Sequence, residues 1–303
     1  MIKRIVFGAL MIAALAGVLW VDWWLDETDS AQLPAYQELR AIPLALVVVV
    51  LVVPAFTELS RLAKAAGVRL LHRSGLPAAL ALALLPFWAQ VAEAFRPDFQ
   101  PVWLPAALVV VAVAMMAIFA EQMIRGRTAD AMGRVAFTLL AVIYLGAGGA
   151  IILWLRLTYG VAVLVMFLAS VKVTDIGAYF VGSLVGRHKL IPWLSPGKSW
   201  EGLVGGLVAG AGASVLAAWW LNISEVSPVQ AGAFGVVVGL AGQFADLCES
   251  LLKRSVNVKD TGSTVPEFGG VLDILDSPLL AAPVAAVAMM VIQYFPPELS
   301  VGP

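Results

Sequence analysis

The sequence is poor in residues that staple or ligate. A single cysteine, Cys248, stands in 303 residues, so no internal disulfide is available and no oxidising compartment is implied. It reads as a small buried hydrophobe. Neither of the two histidines, His72 and His188, has a His, Cys or Asp partner at zinc-ligand spacing, which argues against zinc. Charge is scarce too. Only 13% of residues are charged, about half the share usual in soluble domains. The net charge is -1 and there is no basic tail or arm, so no nucleic-acid partner is expected. Internal repeats, low-complexity linkers and the Walker pattern GxxxxGK[ST] are missing as well. What remains is apolar: 61% hydrophobic residues and a mean hydropathy of +0.93. The chain belongs in a membrane.

The fold class expected is all-α, a polytopic integral membrane protein with about nine transmembrane helices and cytoplasmic active-site loops. The apolar runs fall at roughly 5–23, 41–57, 78–95, 102–120, 135–154, 158–180, 203–221, 230–251 and 278–295. The first run is too long for a signal peptide and ends in WVDWW without a small-residue cleavage site. It reads as a retained helix, with Trp20, Trp23 and Trp24 as interfacial anchors. Orientation follows from the basic residues. An inside N-terminus puts Lys3, Arg4, Arg61, Lys64, Arg69, Arg73, Arg125, Arg127, Arg134, Lys172, Arg187, Lys189, Lys198, Lys253, Arg254 and Lys259 at the cytoplasmic face. Only Arg40, Arg96 and Arg156 fall outside, next to an acidic first loop with Asp26, Glu27, Asp29 and Glu38. The expected location is a bacterial-type inner or plasma membrane, N-terminus cytoplasmic and C-terminus opposite. Residues 1–157 read as plain spans, and residues 158–303 as the part that carries chemistry.

Charge returns in two segments of that second part. From Asp246 to Asp276 the chain reads DLCESLLKRSVNVKDTGSTVPEFGGVLDILD. Carboxylates beside cations at a membrane edge are costly, and mark a functional site. On a helix Asp246, Glu249, Ser250, Lys253 and Arg254 recur at spacings of three and four and share one face. Asp273 and Asp276 stand three apart before the last span. Carboxylates suit Mg²⁺, and Asp246 with Asp273 could hold one cation between two helices. The alternative is a set of ion pairs at an interface. The other segment, TDIGAYFVGSLVGRHKLIPWLSPGKSWEG at 174–202, begins beside Asp175. Gly177, Gly182 and Gly186 permit close packing or a turn. Arg187, His188, Lys189, Lys198 and Ser199 surround a loop punctuated by proline and glycine, which reads either as a phosphate-binding loop or as an ordinary basic loop.

These segments resemble the phosphatidate cytidylyltransferases, or CDP-diacylglycerol synthases. The family's C-terminal signature is met by Ser250, Lys253, Arg254, Lys259, Asp260, Gly262, Pro266, Gly269, Gly270, Asp273 and Asp276 at matching spacing. DIGAYFVGSLVGRHKL with SPGKSWEG resembles the family's other hallmark stretch, and GQFADLCES its Gly-Asp-Leu-x-Glu-Ser segment, with Ala245 where Gly is usual. The resemblance covers roughly residues 172–280; in the first half ELSRL at 58–62 is a faint echo. Three positions depart from the pattern. Glu267 and Phe268 stand where the family has Gly-His, and Ile274 where it has Arg.

The resemblance implies transfer of a cytidylyl group from CTP to phosphatidate, giving CDP-diacylglycerol and pyrophosphate in phospholipid biosynthesis. It implies Mg²⁺, with a second cation as an option, and a homodimer. Asp246, Asp273, Lys253 and Lys259 would be catalytic. Lys198, Ser199, Arg254, Arg187, Lys189, Gly269 and Gly270 would bind substrate. Metal ligands would be drawn from Asp246, Asp273, Asp276, Asp260, Glu249 and Asp175. Because of the three departures, a CTP-dependent enzyme acting on an isoprenoid or polyprenol phosphate stays open. So does a catalytically weak paralogue with a regulatory lipid-binding role. An ion-coupled transporter is disfavoured by the lack of paired half-chain repeats.

Overall fold

The computed structural model describes residues 2–27, 41–95, 103–126, 128–258, 260–262 and 269–296. Apolar runs become helices because a membrane leaves the backbone no other way to satisfy its N–H and C=O groups. In order they are α1 (Ile2–Glu27), α2 (Ile42–Ala65), α3 (His72–Ala83), α4 (Leu85–Phe95), α5 (Trp103–Ile124) and α6 (Ala131–Ala141). A π-helical stretch, Val142–Ala147, leads into α7 (Gly148–Val185). A hairpin of β1 (Lys189–Ile191) and β2 (Ser195–Ser199) precedes α8 (Trp200–Trp220), α9 (Pro228–Ser255) and α10 (Leu272–Tyr294). The fold is thus nearly all-α, and the protein is a multi-pass membrane protein.

The described residues do not reach the expected count of nine spans. Among the described residues six helices are long and apolar enough to cross, or seven if α3 and α4, bent by 54°, make one broken span. The fifth and sixth predicted spans lie in one apolar run of 55 residues, Ala131–Val185, which breaks at Gly160, where the backbone takes φ 84° and ψ 175°. The predicted boundary stands a few residues before that break and leaves Arg156 outside both spans. Arg156 is instead 2% exposed, paired with Asp22 and with Asp26 at 2.6 Å.

The contacts divide the chain into two units. The first comprises Met1–Val161 and Ser255–Leu275. Within it Phe56 and Thr138 close on Gly75 of α3, where a Cβ would come within 2.9 Å of the Phe56 ring. Glu121 of α5 accepts from Ser74 N at 2.8 Å and Ser74 Oγ at 2.7 Å, so it holds the first turn of α3. Arg125 completes that arrangement at 2.5 Å.

The second unit comprises Ala162–Arg254 and Asp276–Pro303. Its helices meet on small residues. Gly202, Gly206, Gly210 and Ser214 are buried at every fourth position of α8. A Cβ on Gly206 would stand 2.7 Å from Thr174 O and 2.8 Å from Ala178 Cβ of α7. Lipid gives no hydrophobic drive to helix association, so close backbone approach supplies it through packing. The hairpin, which the helix count did not anticipate, pairs Lys189 with Ser199 and Ile191 with Ser195. Ser199 then caps α8 by accepting from Gly202 N at 3.1 Å.

Candidate functional site

The second unit gathers charge where residues of α7, β2, α9 and α10 meet, with α9 supplying the most. Asp246 and Glu249 lie one turn apart on α9, and Asp276 comes from α10. One carboxylate oxygen from each lies within 4.8 Å of the others. Glu249 is 1% and Asp276 5% exposed, with Asp246 half-buried. Asp276 accepts from Ser277 N at 2.6 Å and Ser277 Oγ at 3.2 Å. Two lysines answer these charges. Lys198 Nζ meets Asp246 Oδ2 at 2.8 Å, and Lys253 Nζ meets Glu249 Oε2 at 2.5 Å.

Gln243, one turn before Asp246 on α9, ties a fourth carboxylate to the group. Its side chain donates to Asp175 Oδ1 at 2.8 Å, and its carbonyl accepts from Lys198 Nζ at 3.1 Å. Lys172 approaches Asp175 at 3.8 Å. Three mutually close carboxylates repel one another by roughly 3.5 kcal/mol per pair at an effective dielectric of about 20. Such a group is held by cations, and these lysines supply part of that charge. Gln243 carries no charge and stands in an apolar stretch, so nothing in the sequence reading marked it.

The hairpin residues are placed differently. Arg187, His188 and Lys189 are exposed. Glu201, in the first turn of α8, accepts from Arg187 N at 3.1 Å, His188 N at 3.2 Å and His188 Nδ1 at 2.6 Å. This carboxylate fixes the backbone of the basic loop while the Arg187 and Lys189 side chains face outward. Ser199 is 3% exposed, its oxygen engaged in capping. Arg254 is exposed at the end of α9.

In the first unit Asp273, in the first turn of α10, accepts from Gly270 N at 2.6 Å and Thr261 N at 3.1 Å. Gly269 takes φ 96°, which lets the chain turn over that carboxylate: a Cβ there would stand 2.6 Å from Asp273 Oδ2. Asp260 lies alongside and is exposed. Under the same loop is Glu58 of α2, wholly buried, which accepts from Val271 N at 3.0 Å and Leu272 N at 2.8 Å. The predicted second span ended just before Glu58 because its charge looked like a membrane edge. The helix in fact continues to Ala65. The ELSRL echo was the one signal pointing to it. Lys259, Pro266, Glu267 and Phe268 lie outside the described residues.

Comparison with known protein families matches residues 2–292 to the Cytidylyltransferase family. Over 116 residues the chain is 41% identical to the phosphatidate cytidylyltransferase of Mycobacterium leprae (strain TN), covering 38% of this chain and 36% of that protein. It is 40% identical over 126 residues to the uncharacterized protein YnbB of Escherichia coli (strain K12), covering 41% and 42%. It is 33% identical over 164 residues to a phosphatidate cytidylyltransferase of Staphylococcus saprophyticus, covering 51% and 59%. The matched stretches therefore span between about a third and three fifths of these relatives.

Proposed function

The chain belongs to the cytidylyltransferase family, and from that premise we propose that it transfers a cytidylyl group from CTP to phosphatidate. A lipid phosphate oxygen attacks the α-phosphorus of CTP in line. The new P–O bond forms as the bond to the α,β-bridging oxygen breaks, and the electron pair leaves with pyrophosphate. CDP-diacylglycerol remains in the membrane. Such a transfer asks for little covalent help; positioning and charge neutralisation dominate.

The observation that carries this reading is the meeting of Asp246, Glu249 and Asp276, with Lys198 and Lys253 against them, in the part of the chain that resembles the family signature. An ammonium has three donors, so each lysine can keep its carboxylate and still meet phosphate oxygens. Arg254, Arg187 and Lys189 add basic charge for the nucleotide phosphates, and Lys259, outside the described residues, would add its own. The donor set fits Mg²⁺, which takes hard oxygen ligands through one or two carboxylates. Asp246, Glu249 and Asp276 would hold it, and when bound it would supply charge neutralisation for the departing pyrophosphate. Asp175, in the same unit, is a further ligand or support; Asp260 and Asp273, in the other unit, are candidates for a second cation. Of the small residues expected at the substrate, Gly270 and Ser199 are buried and already bonded, to Asp273 and within the cap of α8, which leaves the half-buried backbone of Gly269. A second copy of the chain completes a homodimer, and both loop segments face the cytoplasm, where CTP is found.

A second reading, transfer to a different lipid phosphate, rests on Ile274 in the first turn of α10, where the family pattern has Arg, and on Glu267 and Phe268. One assay tests both: purified protein with labelled CTP, Mg²⁺, and either phosphatidate or isoprenoid phosphates. A labelled lipid formed from phosphatidate, with pyrophosphate released, is the expected outcome. Label appearing only with isoprenoid phosphates would move the substrate. Failure to bind CTP would replace the enzymatic reading with the regulatory one.

A further inference from the structure

Glu58 is a carboxylate inside a spanning helix with 0% of its surface exposed. A charge there is tolerated only if its lone pairs are filled. They are filled by the segment where α10 begins. Oε1 accepts from Val271 N at 3.0 Å, and Oε2 accepts from Leu272 N at 2.8 Å and from Thr261 Oγ1 at 3.3 Å. The first N–H groups of a helix lack intrahelical partners and carry partial positive charge. Glu58 is therefore a helix cap delivered from more than two hundred residues upstream.

The chain is shaped to receive it. A Cβ on Gly262 would come 2.8 Å from Glu58 Oε1, and one on Gly270 would collide with both Glu58 and Thr261. The same two segments hold Asp273: Thr261 N and Gly270 N both donate to its carboxylate. Glu58 and Asp273 thus grip one loop from opposite ends of its hydrogen bonds. If Glu58 is removed, the two donors that orient Asp273 lose their anchor.

We infer that Glu58 is a positioning residue, which fixes Thr261 and residues 270–272 so that Asp273 is held in a single orientation for the transfer reaction. This rests on the proposed function, so the test separates the two. Glu58→Gln keeps the side-chain length but replaces one acceptor with a donor facing a backbone N–H. In the full-length protein without substrate, amide hydrogen exchange over 269–275 should accelerate about tenfold or more, the weight of one charge-assisted hydrogen bond. Exchange in α8 should not change. In turnover with CTP and phosphatidate, kcat should fall at least tenfold, with the KM for CTP within about threefold of the parent. Thr261→Val, which removes one neutral donor and perturbs folding less, should move both readouts the same way by a smaller factor. Unchanged exchange at 269–275 in both variants would overturn the inference. So would equal acceleration across all helices, which would make Glu58 merely structural. If the parent protein transfers no cytidylyl group, the proposed function fails, and the exchange result alone decides whether Glu58 holds the loop.

Discussion

Asp246, Glu249 and Asp276 concentrate three carboxylates that a purely structural helix interface would avoid, because replacing a buried ion pair by well-packed apolar side chains is often neutral or stabilising. That gives a way to tell structure from chemistry. Glu249→Met with Lys253→Met removes a pair whose side chains are 1% and 13% exposed. The double variant should unfold at about the parent temperature while cytidylyl transfer is lost. Asp276→Asn should keep the fold and lower turnover about a hundredfold, equivalent to about 2.7 kcal/mol in the barrier. Near-parent turnover in both variants, measured with labelled CTP at limiting Mg²⁺, would reduce the cluster to an ion-pair network. At this scale much was legible beforehand. Asp246, Glu249 and Lys253 fall on one face by helical spacing alone. Gln243 was not legible and Glu58 was marked only by the ELSRL echo, because the role of each depends on partners far away in sequence: Asp175 for one, Val271 and Leu272 for the other.

The helix α8 shows how one element serves both packing and site. Its glycine column lets α7 approach, and its first turn carries Ser199 and Glu201, which fix the basic hairpin. The sequence reading found the glycines of the preceding segment and the loop chemistry, but not the two strands, because three- and five-residue strands leave no periodicity to detect. Two glycines of α8 separate packing from propensity. A side chain at Gly206 meets backbone and Ala178, whereas Gly212 has nothing within 4 Å. Gly206→Leu should destabilise by about 1–3 kcal/mol or more through overpacking. Gly212→Leu should be tolerated, since Leu is the better helix former. Thermal unfolding of the purified variants measures the contrast. Equal loss in both would mean that helix content rather than close approach sets the stability of this unit.

Across the whole molecule, hydropathy located the membrane-embedded parts, and among the described residues six or seven helical spans are long and apolar enough to cross. Arg156 hides its charge against Asp22 and Asp26, and the break in the 55-residue run Ala131–Val185 falls instead at Gly160. The α3–α4 pair, bent by 54°, covers most of the third predicted span, 78–95. Because parity depends on that count, orientation is better tested on one helix than on the chain ends. Helix α8 is suited to this. Its 21 residues rise about 31 Å, close to the roughly 30 Å hydrocarbon core. Trp200 stands at one end, and Trp219 with Trp220 at the other, all exposed, as expected of rings at two membrane interfaces. The basic residues Arg187, Lys189 and Lys198 flank the first end, while the exposed residues at the second end include Glu225 and no Lys or Arg up to Gln230. The positive-inside bias then predicts opposite faces for two probes. In a Cys248→Ser background, Ser195→Cys should react with an impermeant maleimide only from the cytoplasmic side of sealed vesicles. Ser224→Cys, exposed just beyond the far end, should react only from the other side. Reversed labelling would invert the orientation and move the hairpin away from cytoplasmic CTP. Labelling of both probes from one side would mean that α8 does not cross.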